Sequence, residues 1–195
     1  MPWITTEMRW FGQDASPKAL LSALATAWPG ATQELPRTDL YLNLDSEDLS
    51  IKIRGQAVET KGRLAQLGVR TVGARVSGEM ERWAKWSALA PAVGFAPAGE
   101  TKPDGAPRWR SVAKSRRTVM LPAGARELTV FAEVTELEVD GRRYWTVAVE
   151  ASGASDSAAS LVVSAASRLA SCGAADALCA ARPAAYPAWL RSLGL

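Results

Sequence analysis

The segment from Leu49 to Leu64 alternates between apolar and charged side chains with a period of two. Leu49, Ile51 and Ile53 fall on one face of a strand, and Ser50, Lys52 and Arg54 on the other. After Gly55-Gln56, Glu59, Lys61 and Arg63 share one face, with Val58, Thr60 and Leu64 opposite. Period-two alternation marks a strand with one buried face. The charged face is the unusual part. Two neighbouring strands gather Lys52, Arg54, Lys61 and Arg63 around one carboxylate, and like charges side by side destabilise a sheet. Two readings are open. One is a solvated hairpin. The other is a cationic sheet face that receives a polyanion, most simply a phosphate chain, because Arg and Lys donate to phosphate oxygens.

The same alternation recurs along the chain. Trp3 to Phe11 reads as a first strand, with Thr5, Glu7 and Arg9 on one face. Pro17 to Trp28 reads as an apolar helix with Ser16 as its cap, ended by Pro29-Gly30. In Leu35 to Leu44, Leu40, Leu42 and Leu44 are expected to face the core. Arg37, Asp39, Tyr41 and Asn43 face the other way. Val69 to Ser77 is a further strand candidate with Arg75 and Ser77 on one face, and Gly78 to Ala90 reads as a short helix carrying Trp83 and Trp86. Pro91 to Pro107 reads as an irregular loop. Arg108 to Leu121 returns to strand, with Lys114 and Arg116 together. Arg126 to Val139 and Arg142 to Glu150 form a hairpin around Asp140-Gly141, a dipeptide suited to a two-residue turn. Ser155 to about Cys172 and Pro183 to Leu193 read as helices.

About eight strands in antiparallel succession, each with polar alternate positions, suggest a closed barrel with a polar interior. The expected class is α+β: an antiparallel eight-stranded β-barrel, a tunnel, with helices packed outside. The length of 195 residues suits one domain, with residues 151–195 as C-terminal helices packed on the barrel. Trp145 is expected in the core, and Trp10 and Trp109 are candidates for capping the tunnel mouth.

Composition narrows the chemistry. There is no histidine, so histidine bases, ligands and nucleophile pairs are excluded. A metal would be held by carboxylates, which favours Mg2+ or Mn2+. The net charge of +3 is too small a bias to argue for nucleic acid, and no basic stripe extends from Arg108 to Arg110. Cys172 and Cys179 read as free thiols. With no signal peptide and no apolar run of about 20 residues, the expected location is the cytoplasm, away from membranes.

The faces opposite the apolar ones carry Glu7, Arg9, Arg37, Asp39, Lys52, Arg54, Glu59, Lys61, Arg63, Arg75, Lys114, Arg116, Glu133 and Glu150. Such a lining makes sense as a wet tunnel, since buried dry it would be costly. In chain order, Thr5-Thr6-Glu7-Met8-Arg9, Lys52-Ile53-Arg54, Glu59-Thr60-Lys61-Gly62-Arg63, Arg75-Val76-Ser77-Gly78-Glu79, Lys114-Ser115-Arg116, Ala148-Val149-Glu150 and the segment Ala185 to Leu190 resemble the successive motifs of the CYTH superfamily, the triphosphate tunnel metalloenzymes. The resemblance covers almost the whole chain. It implies phosphate binding by Arg9, Lys52, Arg54, Lys61, Arg63, Arg75, Lys114 and Arg116. It implies catalytic roles for Glu7 and Glu150, and Mg2+ or Mn2+ held by Glu7, Glu150 and Glu133.

The departures bear on activity. Thr5, Ser77 and Ala148 stand where the family has Glu, which lowers the metal-ligand count. Two function classes follow. One is a metal-dependent triphosphate phosphohydrolase, with a cyclase acting on ATP as its variant. The other is an inactive module that binds a triphosphate, polyphosphate or other phosphorylated ligand. A lipocalin-like carrier is poorly served by so many charged inward positions.

Overall fold

A computed structural model of the chain describes residues 2–13, 17–89, 109–122 and 128–194. Ser16, the segment 91–107, Arg108 and the start of the strand expected at Arg126 lie outside the described residues. The strands are β1 (Trp3–Gln13), β2 (Thr32–Gln33), β3 (Arg37–Leu42), β4 (Leu49–Arg54), β5 (Ala57–Val72), β6 (Val76–Leu89), β7 (Trp109–Pro122), β8 (Thr129–Val139), β9 (Arg142–Ser152) and β10 (Arg182–Pro183). The helices are α1 (Lys18–Ala27), α2 (Asp156–Leu169), α3 (Ala175–Ala180) and α4 (Tyr186–Ser192), with a π-helical turn at Ala170–Ala174 between α2 and α3.

Eight strands pair antiparallel in the order β1, β6, β5, β4, β3, β7, β8, β9, and β9 returns to β1. The sheet is therefore a closed barrel. The short β2 and β10 add to β7 and β1. The β8–β9 turn is Asp140-Gly141, with φ 51° and 72°. Positive φ at both central residues matches the right-handed twist of the flanking strands.

The outer wall carries the main apolar core. Met8, Trp10, Met80, Val130, Val134, Trp145, Val147 and Val149 pack there against Leu20 and Leu24 of α1 and Val162 and Leu169 of α2. Glycines make room for the tryptophans. A Cβ on Gly78 would lie 2.4 Å from Trp10, and one on Gly12 2.1 Å from Trp145. Trp10 is fully buried and its Nε1 donates to the Ser77 carbonyl at 2.8 Å. It belongs to the outer core and does not cap the mouth. Trp109 alternates with Arg110 and Lys114, which places it on the outer face too. Ser155 caps α2 by accepting from the Ala158 amide. The helical stretch Asp156–Ala180 is long and apolar enough to cross a membrane by length and composition. Here Gly173, at φ 107°, breaks it, and α2 lays Ala158, Val162, Ala166 and Leu169 on the barrel.

Two expectations are corrected. Gly78 to Ala90 is not a helix: Val76–Leu89 is strand β6, paired with β1 and β5. The spacing of Trp83 and Trp86 imitates a helical face. The alternation of Glu79, Glu81, Trp83 and Lys85 with Met80, Arg82, Ala84 and Trp86 is the signal that prevails. Val69 to Ser77 is not one strand either. β5 runs on to Val72, and Gly73 at φ 61° begins the turn into β6. Eight strands result, partitioned differently from the sequence expectation.

On β3 the expected burial is reversed. Asp39 and Tyr41 are buried at 0% and 3%, while Leu40 and Leu42 are half-exposed. The main core on the outer wall includes no residue of β3, so burial there comes from the barrel interior.

Candidate functional site

Among the described residues, one end of the barrel is closed and the other open. At the closed end, α4 seats Tyr186 and Trp189 among inward residues of the wall. Phe11 stacks on Trp189 at 4.3 Å, Tyr41 stacks on Tyr186 at 5.4 Å, and Tyr144 meets Trp189 edge-on at 5.3 Å. Helix α4 thus seats its aromatic side chains in the barrel end, while α1 and α2 pack on the outer wall as expected. Above this plug lies a cavity of about 690 Å3 lined by Arg9, Lys52, Arg54, Lys61, Lys85, Lys114 and Arg116, with Glu59, Glu133 and Glu150. Trp3, Trp86 and Ser87 mark its mouth.

The cations are held by carboxylates of neighbouring strands. Lys61 Nζ donates to Glu7 Oε1 at 2.6 Å, and Lys85 Nζ to Glu150 Oε2 at 2.6 Å. Arg9 and Arg116 share Glu133 at 2.9 and 3.1 Å. Asp39 is the hub. Arg54 grips it through two nitrogens at 3.1 Å, Lys114 reaches it at 2.9 Å, Arg37 at 3.5 Å and Lys52 at 3.7 Å. Lys52 also meets Glu59 at 2.9 Å. Cations outnumber carboxylates around this hub, so their donors are not exhausted. The Nε atoms of Arg9 and Arg116 are buried without a hydrogen-bond partner.

Protonation follows this arrangement. Burial would raise the Glu7 carboxyl, but Lys61, Lys85 and Arg9 outweigh it and hold it at about 2. Burial likewise opposes ionisation of Asp39 and Glu133, yet Arg54 and Lys114 around the first, and Arg116 and Arg9 around the second, keep both well below the carboxylate range. Burial and the neighbouring Arg54 push Lys52 down to about 8. Burial and Lys52 press Lys114 far below its ordinary value, only partly relieved by Asp39. A cavity that disfavours its own lysine charges gains most from an anion inside it.

Most candidate residues from the sequence converge. Arg9, Lys52, Arg54, Lys61, Lys114 and Arg116 line the cavity. Arg63 shares their face but lies outside the lining, tied to Glu81 at 2.6 Å and to Asp48. Arg75 does not join them. It sits in the exposed β5–β6 turn, paired with Asp176 of α3. The turn takes it off the inner face, so its assignment to phosphate binding is corrected.

The carboxylates named for a metal are near one another but engaged. Glu7 and Glu150 are Cα partners across β1 and β9, and Glu133 pairs with Ala148, two residues from Glu150. Each faces a cation. Among the described residues no group of three or more acidic or thiol side chains is set to hold a metal ion. One acceptor is spare: Glu7 Oε2 is buried without a hydrogen-bond partner, as is the Thr5 hydroxyl. This donor set fits a cation shared between Glu7, Glu150 and the oxygens of a bound anion, not a preformed protein cage.

Sequence reasoning missed Glu81, Lys85 and Tyr186, and left Asp39 without a role. Glu81 flanks Glu7 on the side opposite Glu150, and its pKa is raised because burial outweighs Arg63. Period-two alternation over 79–85 was the available signal for Glu81 and Lys85. Nothing local signals that Tyr186 enters the barrel.

No protein-family model matches the chain, and neither does any curated protein. Solved structures similar to it include the S. pombe Pct1 RNA triphosphatase. That match has 12% identity and a TM-score of 0.39, and covers 86% of this chain and 80% of the other. Another is the same triphosphatase in complex with the Spt5 CTD, at 13% identity and a TM-score of 0.38, covering 88% and 81%.

Proposed function

We propose that the barrel is a CYTH-like pocket for a phosphate chain, a triphosphate or polyphosphate, entering through the mouth beside Lys85. One observation carries this reading. Seven cations from five strands of the barrel converge on one cavity of about 690 Å3, and the Nε atoms of Arg9 and Arg116, two of its lining residues, are buried without an acceptor. A chain of phosphate oxygens supplies several acceptors, and Arg is suited to grip them.

Arg116 gives a clean test. Its removal leaves Glu133 still paired with Arg9 at 2.9 Å, so no buried carboxylate is stranded. Arg116→Ala should weaken tripolyphosphate binding about 10- to 100-fold, the worth of one charge-assisted contact. Calorimetry at fixed salt measures it. Unchanged affinity in Arg116→Ala, or no binding by the unaltered chain, would count against the pocket.

A second reading, a metal-dependent triphosphate phosphohydrolase, is favoured by the spare Glu7 Oε2 beside Glu150. Glu7 and Glu150 would hold Mg2+ or Mn2+ together with the anion. Such a metal supplies charge neutralisation at a transferring phosphoryl group. The chain's own part is to align the phosphates between Arg9, Arg116, Lys61 and Lys85, and to exclude bulk water at the closed end. Phosphate release from tripolyphosphate with Mg2+ or Mn2+ should vanish in Glu7→Gln and Glu150→Gln while anion binding persists. Release that survives both substitutions would refute this reading, and no release from the unaltered chain would leave the binding module.

A further inference from the structure

Where α4 closes the cavity, the Tyr186 hydroxyl is without a hydrogen-bond partner. Tyr186 opens α4, is 8% exposed and lines the cavity. Its ring is held on every side. Tyr41 stacks on it at 5.4 Å, and Phe11 and Trp189 meet it edge-on at 5.2 and 5.7 Å. The Lys114 ammonium lies 4.2 Å and the Arg9 guanidinium 4.9 Å from its centroid. Its hydroxyl is buried and makes no hydrogen bond. A buried hydroxyl left unsatisfied is costly, and native structures seldom keep one without a reason. Burial raises the phenol above its ordinary pKa despite Arg9 and Arg116 nearby, so it keeps its proton and can donate. The Nε atoms of Arg9 and Arg116, lining the same cavity, are also buried without acceptors. Three residues lining one cavity thus each carry a buried donor without an acceptor, which an anionic oxygen group would complement.

We infer that the Tyr186 hydroxyl is a ligand-binding group, donating a hydrogen bond to the innermost oxygen of the bound phosphate chain, and that helix α4 is therefore part of the binding site and not only its stopper. The inference rests on the reading of the cavity as a phosphate-chain pocket. It assigns a role to a residue outside the strands that supply every cation. It also couples occupancy to the seating of α4, because the hydroxyl reaches the ligand only while Trp189 and Tyr186 are docked against Phe11 and Tyr41.

Tyr186→Phe tests it, because Phe keeps the ring and its stacking and removes only the hydroxyl. Calorimetry with tripolyphosphate should show about tenfold weaker binding. The ligand-free melting midpoint should be unchanged or higher, since an unsatisfied buried group has gone. Equal affinity in the two proteins overturns the inference. A second measurement needs no variant. In hydrogen exchange on the unaltered chain, tripolyphosphate should slow the amides of residues 186–192 along with those of the barrel strands. Protection of the strands with no change in α4 overturns the inference and leaves the pocket standing. No protection anywhere overturns both.

Discussion

Replacing Asp39 by Asn separates what the interior carboxylates do for the fold from what they do to a ligand. Asp39 is fully buried and takes Arg54 at 3.1 Å and Lys114 at 2.9 Å, with Arg37 and Lys52 further out. Asn keeps the shape and removes the charge. Lys114, whose side chain is 1% exposed, would retain the Tyr41 hydroxyl at 2.7 Å and no carboxylate among the described residues. Removing one partner of a buried pair costs about 3–5 kcal/mol. Lys114 already ionises well below its ordinary range, so it can shed its proton, which holds the loss near the lower figure. For a chain of this size about 3 kcal/mol corresponds to a drop of about 6–12 °C in melting midpoint. A phosphate group can then occupy the vacated field of Arg54, Lys52 and Lys114. Tripolyphosphate should therefore raise the midpoint of Asp39→Asn by more than it raises that of the unaltered protein, since a ligand binding only the folded state stabilises in proportion to its affinity. The assay is thermal melting in chloride and in tripolyphosphate at matched ionic strength. An Asp39→Asn protein as stable as the parent, or one that is destabilised but gains no more from tripolyphosphate, would refute the reasoning.

Acid should unfold the barrel early. Glu7 ionises at about 2 when folded against an ordinary 4.5, so the unfolded chain takes up its proton first; the stability it contributes is complete above about pH 4.5 and lost as pH falls towards 2. Melting midpoints that stay flat from pH 6 to 2, read as order-of-magnitude steps on that profile, would contradict the buried pair with Lys61. Lys52 gives a slope of the same sign at higher pH. Its folded value of about 8 lies below the ordinary 10.5, so between these values the unfolded chain binds more protons, and stability should rise with pH while tripolyphosphate affinity falls; calorimetry and melting on either side of that window check both signs.

How much was legible in the sequence depended on whether a side chain's neighbours followed from local pattern. Lys52, Arg54, Lys61, Lys114 and Arg116 were found because strict alternation gives the face, and closure of eight strands brings those faces together. The Asp140-Gly141 turn was legible for the same local reason. β6 was not. Trp83 and Trp86 lie at helical spacing, and only pairing with β1 and β5 decides for the strand. That one error hid Glu81 and Lys85. Arg75 was misplaced because the end of β5 at Val72 is set by Gly73, three residues after a run that still alternates. On β3 the leucines took the core by composition. In a barrel whose outer wall is covered only on some strands, however, the interior buries Asp39 more completely than any helix buries Leu40. The entry of α4 depends on ring contacts with Phe11, Tyr41 and Tyr144. No local pattern announces these.

The interior pairs differ in depth, and the difference sets an order of exchange. An unpaired buried cation costs several kcal/mol, so a ligand-free barrel with this lining needs internal counter-charges to fold. A ligand must then compete with them. At the mouth the carboxylates remain wet: Glu59 opposite Lys52 is 27% exposed and Glu150 opposite Lys85 is 19% exposed. Water weakens such pairs, because their attraction falls as the local dielectric rises. Deeper in, Asp39 and Glu7 are 0% and 2% exposed, and their pairs with Lys114 and Lys61 are correspondingly strong. On the proposed reading, an entering phosphate chain would displace Glu150 and Glu59 first, at little cost, and gain Lys85 and Lys52. It would also meet Arg9 and Arg116, whose Nε atoms no carboxylate satisfies. Asp39 and Glu7 would stay paired with Lys114 and Lys61. The carboxylates that dilute the cationic character of the sequence are, on this geometry, what allows so many cations to be stored in one barrel and still be reached by an anion.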